Sequence, residues 1–169
     1  VGVRCCKEPE RGRLWVVQGN IERQRWPRRP SGTATDDEPG VGIHVEVDRS
    51  VSGNGIENAP SFGMIAGWGK YLRDVVISGN VIRNAFIGVG VSVAPGAGTA
   101  LVNNNMISET PRGAVVGLDH ARAITPYLSA AGAQRLAQVV IGPHGVRGDS
   151  LTESSTAASP RTGVAVGSA

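Results

Sequence analysis

The sequence predicts an all-β protein, a parallel β-helix with about 25 residues in each coil. Three observations predict it. A Gly-Asn pair set among alternating aliphatic residues recurs along the chain. A glycine-led second run follows each pair at a nearly constant distance. The composition also suits narrow aliphatic stacking, with 24 glycines and only 4% aromatics in 169 residues. Good helix formers are scarce, which favours strands further.

The first motif reads "VVQGNIERQ", "SVSGNGIENA", "VVISGNVIRNA" and "LVNNNMISET", placing asparagines at 20, 54, 80 and 105. A degenerate fifth copy, "VVIGPHGVRG", carries His144 at the asparagine position. The second motif reads "GVGIHVEVD", "FGMIAGWGK", "IGVGVSVAP" and "RGAVVGLDH", led by Gly42, Gly63, Gly88 and Gly113. Asn54 to Asn80 spans 26 residues and Asn80 to Asn105 spans 25. Each regular unit therefore has room for three short strands and their bends. A leucine-rich repeat has a similar period but needs leucines that are absent here.

Each element then has a reason. Asn20, Asn54, Asn80 and Asn105 stand at a bend, where the backbone can turn left-handed and the side chain can bond to the neighbouring coil. On the glycine-led strands, alternation puts Ile43, Val45 and Val47 inward, then Met64, Ala66 and Trp68. Val89, Val91 and Val93 follow, then Ala114, Val116 and Leu118. The outward positions are His44 and Glu46, Ile65 and Gly67, Gly90 and Ser92, Val115 and Gly117. One coil cannot bury its own inner face, so stability must come from stacking.

Where spacing lengthens, insertions are expected. Residues 25–40, "RWPRRPSGTATDDEPG", have no period and read as a long surface loop. Residues 121–138 predict a short helical insertion, with Thr125 as N-cap and Pro126 as first helical residue. The coils thus run over 14–147, preceded by a poorly structured segment, 1–13, and followed by a disordered tail, 148–169.

Charge and cysteine content exclude several function classes. Residues 1–30 hold eight basic and three acidic residues, a balance of +5, so the remainder of this +3 chain sums to −2. That basic end lacks periodicity and reads as a solvated terminus; no nucleic-acid partner is expected. Cys5 and Cys6 are adjacent, too close for an unstrained disulfide, and no ligands nearby complete a metal site. No metal or other cofactor is expected. No apolar run is long enough to span a membrane and no signal peptide is visible. Beginning at Val1, the sequence reads as a piece of a longer protein.

"GVGIHVEVDRSVSGNGIENAPSFGMIAGWGKYLRDVVISGNVIRN", "VSVAPGAGTALVNNNMI" and "RGAVVGLDHARAI" resemble the C-terminal part of the twin-arginine-translocated repeat proteins. These are bacterial proteins of uncharacterised function with a pectin-lyase-like right-handed β-helix. The resemblance runs from about Arg25 to Arg147 and is most specific at "GWGKYLRDV" and "SVAPGAG". It implies a right-handed helix, export to the periplasm or beyond, and further N-terminal coils in the parent chain. It supplies no catalytic residues. Two departures stand out: Gly55 follows Asn54 where an aliphatic residue is usual, and His144 breaks the last Gly-Asn.

Only the first coil is polar on its outward face. His44, Glu46 and Asp48 are expected to project from one strand beneath the 25–40 loop, which offers Trp26, Arg28 and Arg29. Arginines can hold uronate carboxylates in two-point contacts, and an exposed indole can stack on a sugar. His44 can serve as a general base if Glu46 holds it. A glycosidase needs a second carboxylate across the bond, yet Ile65 and Gly67 occupy the adjacent strand. Asp119-His120 forms a pair in letters, but the two point to opposite faces of an extended chain. The function expected is therefore association with a polysaccharide, by binding or processing. The alternative is a non-catalytic structural or adhesion-type scaffold.

Overall fold

The computed structural model describes residues 2–5, 14–23, 40–125, 128, 139–142 and 145–147. Among them the protein is all-β, built from three sheets. The strands are β1 (Val3–Cys5), β2 (Trp15–Gln18), β3 (Ile21–Arg23), β4 (Ile43–Val45), β5 (Val47–Ser52) and β6 (Gly55–Glu57). They continue with β7 (Phe62–Ala66), β8 (Arg73–Ser78), β9 (Val81–Arg83), β10 (Ile87–Ser92) and β11 (Ala100–Asn103). The last are β12 (Met106–Ser108), β13 (Val115–Asp119), β14 (Arg122–Thr125), β15 (Val139–Ile141) and β16 (Gly145–Arg147).

The first sheet has the order β1-β4-β7-β10-β13-β14, the second β15-β11-β8-β5-β2, and the third β16-β12-β9-β6-β3. From β1 to β13 the chain visits the three sheets in fixed rotation, so each repeat unit gives one strand to each. All pairings are parallel except β13 with β14. The degenerate fifth copy keeps this arrangement, because β15 pairs with β11 and β16 with β12 in unbroken register.

Register turns the aliphatic pattern into columns. In the second sheet Val17, Val51, Ile77, Val102 and Ile141 stack in line, all buried. In the third sheet Ile56, Ile82 and Ile107 do the same. The first sheet supplies Ile43, Met64, Val89 and Val115. All of these belong to one core cluster, and apolar surface removed from water at every level is what drives the stacking.

The asparagines form the expected ladder. Asn54 donates through its backbone N–H and its Nδ2 to Asn80 Oδ1, at 3.0 and 2.9 Å. Asn80 does the same to Asn105, and Asn20 to Asn54. Each Nδ2 also donates to backbone oxygens, as Asn80 does to Val51 and Ser78. The left-handed residue, however, is the one before each ladder asparagine: Gly19, Gly53, Gly79 and Asn104 take φ of 71°, 61°, 67° and 51°. Glycine pays no Cβ penalty there, which leaves the asparagine free to aim its amide inward.

A second row explains the glycines that lead the first-sheet strands. A Cβ on Gly42 would lie 2.6 Å from the Gly63 carbonyl oxygen, and one on Gly88 2.5 Å from that of Ala114. Backbones approach here too closely for a side chain. The fourth member of the row is thus Ala114, not Gly113, which corrects the phase of the last strand by one residue. Val115 and Gly117 face the interior in line with Val89 and Val91, while Val116 and Leu118 face outward.

Two further expectations change. Residues 3–5 lie in the segment expected to be poorly structured, yet they form β1 against β4. Residues 122–125 lie in the expected helical insertion but form β14, and Thr125 Oγ1 accepts from Gly117 N at 2.9 Å. The insertion beyond residue 125 apart from Leu128, the loop apart from Gly40, and the tail lie outside the described residues.

Candidate functional site

The outer face of the first sheet carries the row His44, Ile65, Gly90, Val116, with Ser92 and Leu118 paired beside it. Alternation alone makes these outward positions, His44 among them, candidates for solvent exposure. The face is instead buried, from His44 at 4% exposure to Leu118 at 0%. Val41, Phe62, Ile65, Ile87, Val116 and Leu118 form a second apolar cluster there, with Phe86 packed against it. Gly90 makes this possible: Phe62 and Leu118 close over the space its missing Cβ leaves.

Beside this cluster the "GWGKY" stretch leaves the sheet as a tight turn. Trp68 and Tyr71 exchange two backbone hydrogen bonds of 3.1 and 3.0 Å, and Gly67 and Gly69 take positive φ of 81° and 55°. Ser92 Oγ donates to the Gly69 carbonyl at 2.5 Å and ties the turn to the sheet. Trp68 therefore does not continue the inward row of Met64 and Ala66. Its half-buried indole lies between two imidazoles. The His44 ring is 5.9 Å away at 48°, and the His120 ring 5.6 Å away, edge-on at 85°.

His120 takes a left-handed φ of 55°, which folds it back onto Asp119, and its Nδ1 lies 2.8 Å from Asp119 Oδ1. An ionised carboxylate can only accept, so Nδ1 carries the proton and Nε2 is left as an acceptor in the neutral ring. Both side chains are about half exposed, Asp119 at 46% and His120 at 59%. Extended-chain reasoning missed this pair because one left-handed residue cancels the alternation.

His44 and Glu46 are close but buried. Glu46 Oε1 lies 3.7 Å from His44 Nε2, too far for a hydrogen bond, and Nε2 has no hydrogen-bond partner. Burial, aided by the positive charge of Arg4 on the neighbouring strand, holds the His44 pKa down to about 4 from 6.5. His44 is neutral at pH 7, so the pair is not an ion pair despite its short separation. The expected solvent-facing base held by Glu46 is therefore corrected. Here His44 backs Trp68 and does not itself reach a polymer.

The three do not share a strand: His44 is in β4, Glu46 links β4 to β5, and Asp48 is in β5. Asp48 stands in the second sheet with φ 52° and takes a two-point contact from Arg73, 3.0 and 2.6 Å. That hydrogen-bonded guanidinium holds its carboxyl below the usual range. Trp26, Arg28 and Arg29 lie outside the described residues. Among the described residues no three His, Cys, Asp or Glu side chains group as a metal site requires, and no helix is long and apolar enough to cross a membrane.

The geometry thus gathers Trp68, His120 and Asp119 at the rim of the first sheet, with His44 and Glu46 behind them. Compared with protein-family models, with characterised proteins and with solved structures, the chain finds no match.

Proposed function

We propose that the chain is a stretch of right-handed parallel β-helix that binds a polysaccharide at the rim built by Trp68, Asp119 and His120. The helix reading is supported by the fixed rotation through three parallel sheets, by the asparagine ladder, and by the right-handedness of nearly all parallel crossovers. Further coils stacked on β2 and β3 fit the same reading. Among the described residues those strands are sheet edges, with Trp15, Val16 and Ile21 exposed and Asn20 Oδ1 at the open end of the ladder. Export through the twin-arginine route is proposed on the sequence resemblance alone.

One observation carries the binding reading. A half-buried indole is held between imidazoles beside an exposed carboxylate–imidazole pair, on a face otherwise closed by apolar packing. An indole offers a sugar a flat apolar surface, and the Asp119–His120 pair offers acceptors to its hydroxyls. The arginines at 28 and 29, with Trp26, belong to the same proposal as groups for an acidic sugar.

The scaffold reading is favoured by a different observation: Ile65, Val116 and Leu118, which a groove would expose, are committed to packing. A glycan array separates the two. The binding reading expects the wild type to retain some glycans, with the signal lost in Trp68→Ala and weakened in His120→Ala and Arg29→Ala. A wild type that retains none leaves the scaffold standing alone.

A further inference from the structure

The outer face of the third sheet has two parallel rows in register. One reads Ile21, Gly55, Val81, Met106 and the other Arg23, Glu57, Arg83, Ser108. Ile21, Val81 and Met106 are 77%, 51% and 50% exposed, so this row is not held there by packing. Gly55 interrupts it without a backbone reason. It is not among the residues of positive φ, and a Cβ placed on it would meet nothing within 4 Å. Glycine weakens a strand interior, and where neither a bend nor crowding requires it, close approach of another molecule is the remaining use.

Next to this notch, Glu57 lies between two arginines. Arg23 Nε is 3.1 Å from its Oε2 and Arg83 Nη2 is 3.4 Å from its Oε1, while the arginine side chains stay 73% and 56% exposed. Arg23 and Arg83 stand two strands apart, about 10 Å at ordinary strand spacing. Each guanidinium has five N–H donors, so one contact to Glu57 leaves capacity for a second anion.

We infer that the Gly55 notch is a second binding site, for a carboxylate-bearing sugar unit of a linear acidic polysaccharide. The ring lies flat over the Gly55 backbone between the aliphatic side chains of Ile21 and Val81. Its carboxylate takes donors from Arg23 or Arg83, and Glu57 accepts from its hydroxyls. The site deepens the polysaccharide reading and rests on it, but it lies on a different sheet from Trp68.

The test uses the full chain, a sodium oligogalacturonate as probe, and poly-L-glutamate as a control of like charge, followed by calorimetry and by backbone amide shifts. Gly55→Val fills the notch at a position with open space and suits a strand, so the variant keeps its fold. Expected are shifts at residues 21, 55, 57, 81 and 83, with affinity reduced roughly tenfold or more in Gly55→Val and in Arg83→Gln. Binding that persists in Gly55→Val while depending on Trp68 overturns this site and leaves the rim reading intact. Equal binding of poly-L-glutamate overturns the sugar as ligand. A wild type that binds neither this probe nor any arrayed glycan overturns both.

Discussion

Lowering the pH should destabilise the protein through one residue, His44. Its side chain is buried, its Nε2 is unpartnered, and its pKa is held at about 4. The groups facing it are Arg4 on β1, Glu46 two residues on, Ile65 on β7 and the Trp68 indole. An unfolded histidine takes a proton near 6.5, so between 6.5 and 4 the unfolded chain binds the proton that the folded chain refuses. Stability from this group is complete above 6.5 and is lost as the pH falls towards 4. The full difference is about 3 kcal/mol, and the loss between pH 7 and pH 4.5 is about 2 kcal/mol. Urea denaturation of the wild type and of His44→Ile at both pH values isolates the effect. Isoleucine continues the Ile65–Val116 row, and carboxylates away from position 44 contribute equally to both proteins. The wild type should lose about 2 kcal/mol more than the variant. Equal losses would refute the argument, because they would mean that His44 takes its proton as readily folded as unfolded.

The ladder and the glycine row give predictions of their own. Asn80→Ala strips acceptors from the Asn54 N–H and Nδ2 and donors from the Val51 and Ser78 carbonyls, and should cost about 3 kcal/mol in urea unfolding. Asn20→Ala at the end of the ladder should cost under about 1 kcal/mol, and equal costs would contradict the ladder's role. Gly88→Ala drives a methyl into the Ala114 carbonyl and Ile107, 2.5 and 2.7 Å from the new Cβ, and should cost about 2 kcal/mol, seen as a lower Tm.

The repeat was legible because stacking imposes it on the letters. An asparagine that bonds to its counterpart in the next unit must recur, and so must a glycine whose Cα lies against the next backbone. The last strand slipped by one residue because Gly113 has the right letter, while the close approach falls on Ala114, the next smallest side chain. Burial of the outer face was not legible. Alternation says which residues face away from the interior but not what folds across them, and here Phe62 and Leu118 close over Gly90. The site shifted for similar reasons. Two positive-φ glycines carry Trp68 out of its row, and His120 turns back onto Asp119 through a left-handed backbone. His44 and Glu46 were found as a polar pair two residues apart, but the sequence could not show that both are covered.

The most direct test of the polysaccharide reading is a fluorescence titration. With Trp15 and Trp26 replaced by phenylalanine, which keeps an aromatic ring at position 26 for the sugar, Trp68 is the only tryptophan left in the chain. The proposed site predicts a saturable change in Trp68 emission with a polysaccharide retained on the array, shifted to higher polysaccharide concentration when His120→Ala removes the ring packed against the indole. Glycan binding, verified by calorimetry, that leaves Trp68 emission unchanged would contradict it.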